Sequence, residues 1–252
     1  MKSQEISLVL GLLKFIGNQI RETRVKLFKG ESFFYFYLRA KTTDLQVFSE
    51  TFFNYFPTES LPLIERNTNT RLKKKHLIVD AGACIGTTAA LFSIKFPLSH
   101  IVALEPSNAN YMQLKKNTEK LDNVECLQLA LDSNNSYVEI DDVGLGFWGL
   151  QTKPLSMNSS NIAQTISVEE LLRRYDDTYE RFVFKLDIEG GERNLSNVDW
   201  DLVVQFKIIC IEFHDWMFPS EGLSKYFFQS LARSGINYSL SLKGNNMWII
   251  KL

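Results

Sequence analysis

Lys185, Asp187, Glu189 and Glu192 fall within eight positions of the run FVFKLDIEGGE, which begins as a hydrophobic strand and ends on two glycines. Charges on a buried strand cost several kcal/mol each unless they are paired or employed in chemistry. With a side-chain period of two, Lys185, Asp187 and Glu189 share one face while Leu186 and Ile188 take the other. The lysine then offsets part of a dense negative cluster. Gly190 and Gly191 let the chain turn sharply, and Glu192 is expected in the first turn of the next helix, where the dipole favours a carboxylate. A similar group ends the following strand, CIEFHDW, with Glu212, His214 and Asp215. These residues suit two kinds of chemistry. Asp187, Glu189 or His214 could take a proton from a bound hydroxyl, or Asp187, Glu189, Glu212 and His214 could hold a divalent cation such as Mg²⁺ that acidifies it. Structural roles stand beside these: a satisfied histidine at 214, charge pairing at Lys185, helix-dipole matching at Glu192.

A second constellation lies upstream. VDAGACIGTTAAL places Asp80, Gly82 and Gly86 at a strand-to-helix turn, where glycines let backbone approach a ligand and the helix N-terminus offers free N–H groups. Glu105, in ALEPS, follows Gly86 by 19 residues at the end of the second strand, where a carboxylate accepts the two ribose hydroxyls of an adenosine. The spacing G-x-x-x-G lacks the middle glycine of a dinucleotide fingerprint. Asp80 repels a diphosphate but suits a ligand with an ammonium, such as S-adenosyl-L-methionine (SAM). An NAD-dependent oxidoreductase is the enzymatic alternative, and a plain tight turn the structural one.

The elements that must position these residues alternate. Short apolar strands (HLIVDAGA, HIVALEP, VECLQLAL, RFVFKLDI, FKIICIEF) are interleaved with helices (TTAALFSIKF, SNANYMQLKKNTEKL, SVEELLRRY, LSKYFFQSLARSG). Ser107 and Ser167 stand as N-caps, the latter with Glu170 in a capping-box pattern. YVEI and GFWGLQT read as a β-ribbon, and NYSLSL with MWIIKL as a closing hairpin. The fold class expected is α/β, a doubly wound parallel sheet with an antiparallel C-terminal edge. Residues 6–28 read as a helix, and the polar run Asn67–Lys75 as a boundary. This divides the chain into an N-terminal helical extension, 1–75, that lids the site or makes a homo-oligomer contact, and a domain over 76–252.

Composition excludes several classes. The chain has 252 residues, 45% hydrophobic and 23% charged, with a net charge of −1, so neither global disorder nor a nucleic-acid-binding basic field is expected. The three cysteines are scattered and, with three histidines, lack zinc-site spacing, which reads as reduced thiols in the cytoplasm. No apolar run reaches the ~18–20 residues of a membrane span.

VDAGACIGTTAALFS, ALEPSNANYMQLKKN, FKLDIEGGE and IEFHD together resemble the FkbM-type SAM-dependent O-methyltransferases, over roughly Phe34 to Leu231, with KLDIEGGE the most specific element. The resemblance implies a Rossmann-like methyltransferase fold with a seven-stranded sheet. It also implies methyl transfer from SAM to a hydroxyl of a sugar, glycan or secondary metabolite. The expected cofactor-binding residues are Asp80, Gly82, Ala83, Gly86, Thr87, Glu105, Pro106, Ala130 and Asp187, and the expected catalytic residues Asp187, Glu189, His214 and Lys185. The family's loop reads D-x-G-A-N-x-G, and Cys84 stands here in place of its asparagine. A methyltransferase-like protein that binds without catalysing is the rival reading. Trp148 and Trp216 are aromatic candidates for the acceptor site or for the core.

Overall fold

The computed structural model describes residues 22–68, 75–144, 146 and 149–252. Seven of the apolar segments form one sheet. β3 (Lys75–Ala81) lies inside it, flanked on one side by β4 (His100–Leu104) and β5 (Val124–Leu127). On the other side come β10 (Tyr179–Leu186), β11 (Ile208–Glu212), β13 (Asn246–Lys251) and β12 (Tyr238–Lys243). Neighbouring strands are parallel except at β13, which runs against both β11 and β12. The expected doubly wound sheet with an antiparallel C-terminal edge is present.

A parallel sheet must be covered on both faces, and the strands alternate accordingly. Leu77, Val79, Val102, Phe184, Leu186 and Ile209 pack towards α5 (Val168–Arg173), α6 (Asn197–Val203) and α7 (Leu223–Arg233). Ile78, Ile101, Val183, Ile208 and Ile250 pack towards α2 (Leu61–Thr68), α3 (Thr87–Lys95) and α4 (Asn108–Thr118). Each fully buried side chain of this kind contributes roughly 1.5–3 kcal/mol.

The helix expected over residues 6–28 is corrected at its end: Glu22–Lys29 is a strand, β1, antiparallel to β2 (Ser32–Arg39). In ETRVKLFK the polar and apolar residues alternate, and Val25 and Leu27 pack beside Phe34, Phe36 and Leu38. That two-residue period outweighs the looser helical one. Residues 1–21, with the lid or oligomer contact expected there, lie outside the described residues. α1 (Asp44–Asn54) follows the hairpin. Its Phe48 joins the β2 phenylalanines in a core shared with Ile85, Ala90 and Leu121, so the extension is half hairpin and is welded to α3. Gln113 and Asn117 of α4 donate to the Tyr37 carbonyl at 2.7 and 3.1 Å, which satisfies an otherwise open strand edge.

VECLQLAL, expected as one strand, is two. β5 ends at Leu127, and β6 (Ala130–Asp132) leaves the main sheet to pair with β9 (Ile162–Ser167). β9 also pairs with β7 (Tyr137–Asp142), which forms the expected ribbon with β8 (Leu150–Lys153). Trp148 lies outside the described residues. Ser167 caps α5 through the Glu170 N–H at 3.1 Å, but the Glu170 carboxylate turns to Arg173 and Arg174. The reciprocal capping box occurs instead at Ser196 and Asp199.

Candidate functional site

The charge in the core strand is explained by its register. Lys185 on β10 lies beside Asp80 on β3 and Cys210 on β11, all on the sheet face towards α3. Lys185 is 3% exposed and Asp80 fully buried, with 3.2 Å between ammonium and carboxylate. The ammonium also donates to the carbonyls of Gly82 at 2.6 Å and Ala81 at 3.3 Å, and lies 3.8 Å from Asp187 Oδ2. Burial opposes its charge, but Asp80 and Asp187 outweigh that penalty and hold the amine above its ordinary pKa. Burial pushes Asp80 up. Lys185 thus ties the glycine turn to the end of β10, and the ammonium nearest Asp80 is the chain's own.

Both glycines of the turn are held against neighbouring elements. Gly82 has φ +80°, and a Cβ there would lie 1.7 Å from the Asp187 carbonyl oxygen. Gly86 has φ +88°, and its Cβ would meet Leu114 Cδ1 at 2.7 Å. Gly82 admits the end of β10, and Gly86 admits α4. Between them Cys84 has φ +50°, a conformation that asparagine tolerates better than most residues. Burial pushes the Cys84 thiol up, and the residue lines the cavity. Just past β10, Glu189 (φ +53°) and Gly190 (φ +89°) are consecutive left-handed residues, and they swing the Glu189 carboxylate back to the strand end.

A cavity of about 440 Å³ opens over the carboxyl ends of β3, β4, β10 and β11. One half is lined by Gly82, Ala83, Thr87, Glu105, Pro106 and Ala130. Glu105 Oε2 accepts from the Cys84 N–H and Oε1 from the Ser107 N–H, both at 2.9 Å. The Asn110 side chain adds a third hydrogen bond, which leaves the carboxylate a lone pair for a further donor. Burial pushes this carboxyl up to about 7 in spite of those bonds. The other half is lined by Asp187, Glu189, Glu212 and Asn246, together with Gln46, Glu50 and Asn54 of α1. Asp80, Gly86 and His214 are not among the lining residues. Trp216 is 70% exposed and also stays outside the lining.

His214 is 2% exposed and stands behind the carboxylates. Its Nδ1 is 3.1 Å from Glu192 Oε1. Its Nε2 lies 3.4 Å from Glu189 Oε2, 3.9 Å from Asp187 Oδ1 and 4.0 Å from Glu212 Oε1. Burial disfavours the charged imidazole, yet the hydrogen bond and charge of Glu192, aided by Asp187 and Glu189, bring its pKa up to about 9. A buried imidazolium is a poor proton acceptor at neutral pH. Glu192 sits in a 3₁₀ turn (Gly191–Asn194) ahead of α6 rather than in the first turn of a long helix. The sequence reading missed its pairing with His214, for which the only signal was a carboxylate beside the glycine pair. Burial and Asp187 raise the Glu189 pKa, against the opposing pull of His214. Asp187 Oδ1 and Glu189 Oε2 are buried with no hydrogen-bond partner. Ligand atoms of Asp187, Glu189 and His214 all lie within 4.8 Å of one another. Glu212, the fourth expected metal ligand, stands outside that group and accepts from Asn245 at 3.1 Å.

Strand order and the cleft over the strand ends are those of the Rossmann-like methyltransferase fold. The sequence profile described as the Methyltransferase FkbM domain matches residues 80–233, more than half of the chain, and the chain belongs to that family. No functionally curated protein matches the chain significantly. Among solved structures it is similar to precorrin-6y C5,15-methyltransferase from Geobacter metallireducens, with 15% identity and a TM-score of 0.38, covering 75% of this chain and 85% of that one. It is also similar to Aeropyrum pernix fibrillarin in complex with natively bound SAM, with 11% identity, a TM-score of 0.39, and 77% and 74% covered. An O-methyltransferase family protein from Burkholderia thailandensis is 8% identical at a TM-score of 0.39, with 98% and 69% covered. Among the described residues no helix is long and apolar enough to cross a membrane.

Proposed function

We propose that this protein transfers the methyl group of SAM to a hydroxyl of an uncharged polar acceptor, a sugar, glycan or hydroxylated secondary metabolite. The observation that carries the proposal is the two-sided cavity, with Glu105 on one wall and the Asp187–Glu189–Glu212 carboxylates on the other. The residues fit SAM. Glu105 is buried, held by two backbone N–H groups and able to accept ribose hydroxyls, while Ala83, Thr87, Pro106 and Ala130 line the same half. Bound SAM supplies an electrophilic methyl group, so this chain has to orient a hydroxyl and accept its proton.

Glu189 is the base in this reading. It lines the cavity, one of its oxygens lacks a partner, and burial and Asp187 raise its pKa to about 8, so it accepts a proton once ionised at mildly alkaline pH. His214 does not line the cavity, and with Glu192 it holds Asp187 and Glu189 in place as a buried cation. Lys185 holds the turn instead of meeting the acceptor. Five carboxylates (Glu50, Glu105, Asp187, Glu189, Glu212) face two lysines (Lys185, Lys243) around the lining. That balance suits the cationic donor and disfavours a phosphorylated acceptor.

A second reading rests on the partnerless oxygens of Asp187 and Glu189 facing His214 Nε2. Those three residues would hold a divalent cation that acidifies the acceptor hydroxyl. Two carboxylates and an imidazole suit Mn²⁺ or Fe²⁺ better than Mg²⁺. Transfer of labelled methyl from SAM into a panel of neutral glycosides, and their phosphorylated counterparts, tests the main reading. We expect neutral products, and a loss of ~10²–10⁴-fold in Glu189→Gln, the usual share of a general base. Full activity in that variant, or transfer to phosphorylated acceptors alone, contradicts it. SAM binding with no transfer to any acceptor favours the non-catalytic alternative.

A further inference from the structure

One side-chain network links the two halves of the cavity from outside the sheet. Arg39 closes β2, and its guanidinium grips Asp44, the first residue of α1, in a fork: Nε to Oδ2 at 2.9 Å and Nη2 to Oδ1 at 2.8 Å. The Arg39 backbone N–H adds a third bond to Oδ2 at 2.8 Å. The same Nη2 donates to Asn110 Oδ1 on α4 at 2.9 Å, and the Asn110 side chain hydrogen-bonds the Glu105 carboxylate. Asp44 and Asn110 are buried. A run of hydrogen bonds, Asp44–Arg39–Asn110–Glu105, therefore joins the start of α1 to the carboxylate of the cofactor half.

α1 supplies much of the opposite wall. Gln46, Val47, Glu50, Thr51 and Asn54 line the cavity at helical spacing. A second tether joins Thr51 Oγ1 to Thr87 Oγ1 at 3.3 Å, on the first residue of α3. These two tethers thus end on residues that line the cavity, Asn110 and Thr87.

We infer that Arg39 is a positioning residue which couples occupancy of the cofactor half to the placement of α1, so that donor binding completes the acceptor wall. This rests on the reading that Glu105 holds the donor's ribose. When Glu105 accepts ribose hydroxyls, its carboxylate is fixed in its charged form. Asn110 is then fixed against it, and Arg39 presents its fork to Asp44 from a settled position. A lysine cannot replace this arginine, because one ammonium does not reproduce two parallel bonds to a carboxylate plus one to an amide. The coupling is reciprocal: an ordered α1 favours the donor as much as the donor favours α1.

Hydrogen exchange of the full chain, with and without S-adenosylhomocysteine, tests this without any knowledge of the acceptor. In the parent protein the ligand is expected to slow exchange of the α1 amides by ~10-fold, within the range of ordinary coupling free energies. Arg39→Met and Arg39→Lys should still bind S-adenosylhomocysteine but lose that protection, whereas protection of α3 persists. Asn110→Ala, which leaves the Arg39–Asp44 fork intact, should lose it too, and supplies the test if the Arg39 variants fold poorly. Unchanged α1 exchange in the parent on binding, or full protection in both Arg39→Met and Asn110→Ala, overturns the inference. Failure of the parent to bind S-adenosylhomocysteine at all overturns the underlying donor-site reading instead, and is seen directly in the same titration.

Discussion

At the scale of single residues, the site is a set of ionisable groups whose surroundings decide what they can do. Lys185 has the chemistry of a catalytic residue, but its ammonium is taken up by Asp80 and two turn carbonyls. Removing it would strand a buried aspartate, a defect worth ~3–5 kcal/mol. Glu105 gives a prediction with a definite sign. Its carboxyl is raised by burial from 4.5 to about 7, so between those values the folded ligand-free protein binds more protons than the unfolded chain. Its contribution to stability is then lost as pH rises through that window. Affinity for S-adenosylhomocysteine should move the opposite way, because ribose hydroxyls donate best to the ionised carboxylate. Melting temperature without ligand should fall, and affinity rise, as pH increases across this window; Glu105→Gln should flatten the affinity slope and make the stability slope shallower by the share of this one group. The types and spacing of Glu105, Asp187 and Glu189 were legible in the sequence because carboxylates at strand ends are rare without a purpose. The protonated state of His214 was not. It depends on Glu192, which folds back on a 3₁₀ turn that no local pattern announces.

Elements position these residues by close approach more than by reach. The glycine turn after β3 and the Asp187 carbonyl of β10 leave no room for a side chain at residue 82, where a Cβ would overlap that oxygen at 1.7 Å. Gly82→Ala is accordingly expected to lower stability by ~3 kcal/mol or more through backbone strain and displacement of β10. Thermal unfolding measures this, and a melting temperature equal to the parent's would show that the turn can yield. Strand and helix alternation over 76–252 was readable because each apolar run is short and bounded by glycine or polar residues. Several elements escaped, β9, α2 and α6 wholly and two others by misassignment. ETRVKLFK belongs to a hairpin whose partner supplies the phenylalanine core, so its state is set by tertiary packing rather than by its own propensity. VECLQLAL breaks after Leu127 because Ala130–Asp132 pairs with β9, over thirty positions along the chain. That break places Leu129, Ala130 and Leu131 on the cavity wall, and of these the sequence pointed only to Ala130.

At the scale of the whole molecule, a seven-stranded sheet brings two carboxylate-bearing strand ends opposite a buried glutamate. α1 and the β12–β13 turn close the remaining side. The family assignment follows from residues 80–233, and α1 of the N-terminal extension adds Gln46, Val47, Glu50, Thr51 and Asn54 to the cavity wall. The central claim is that this cavity is built for SAM. Calorimetric titration of the intact protein with SAM and, separately, with NAD tests it most directly. The account predicts saturable one-to-one binding of SAM, weakened ~10-fold or more in Glu105→Gln by loss of charge-assisted hydrogen bonds, and no binding of NAD. Absence of SAM binding, or SAM binding indifferent to Glu105, would contradict it.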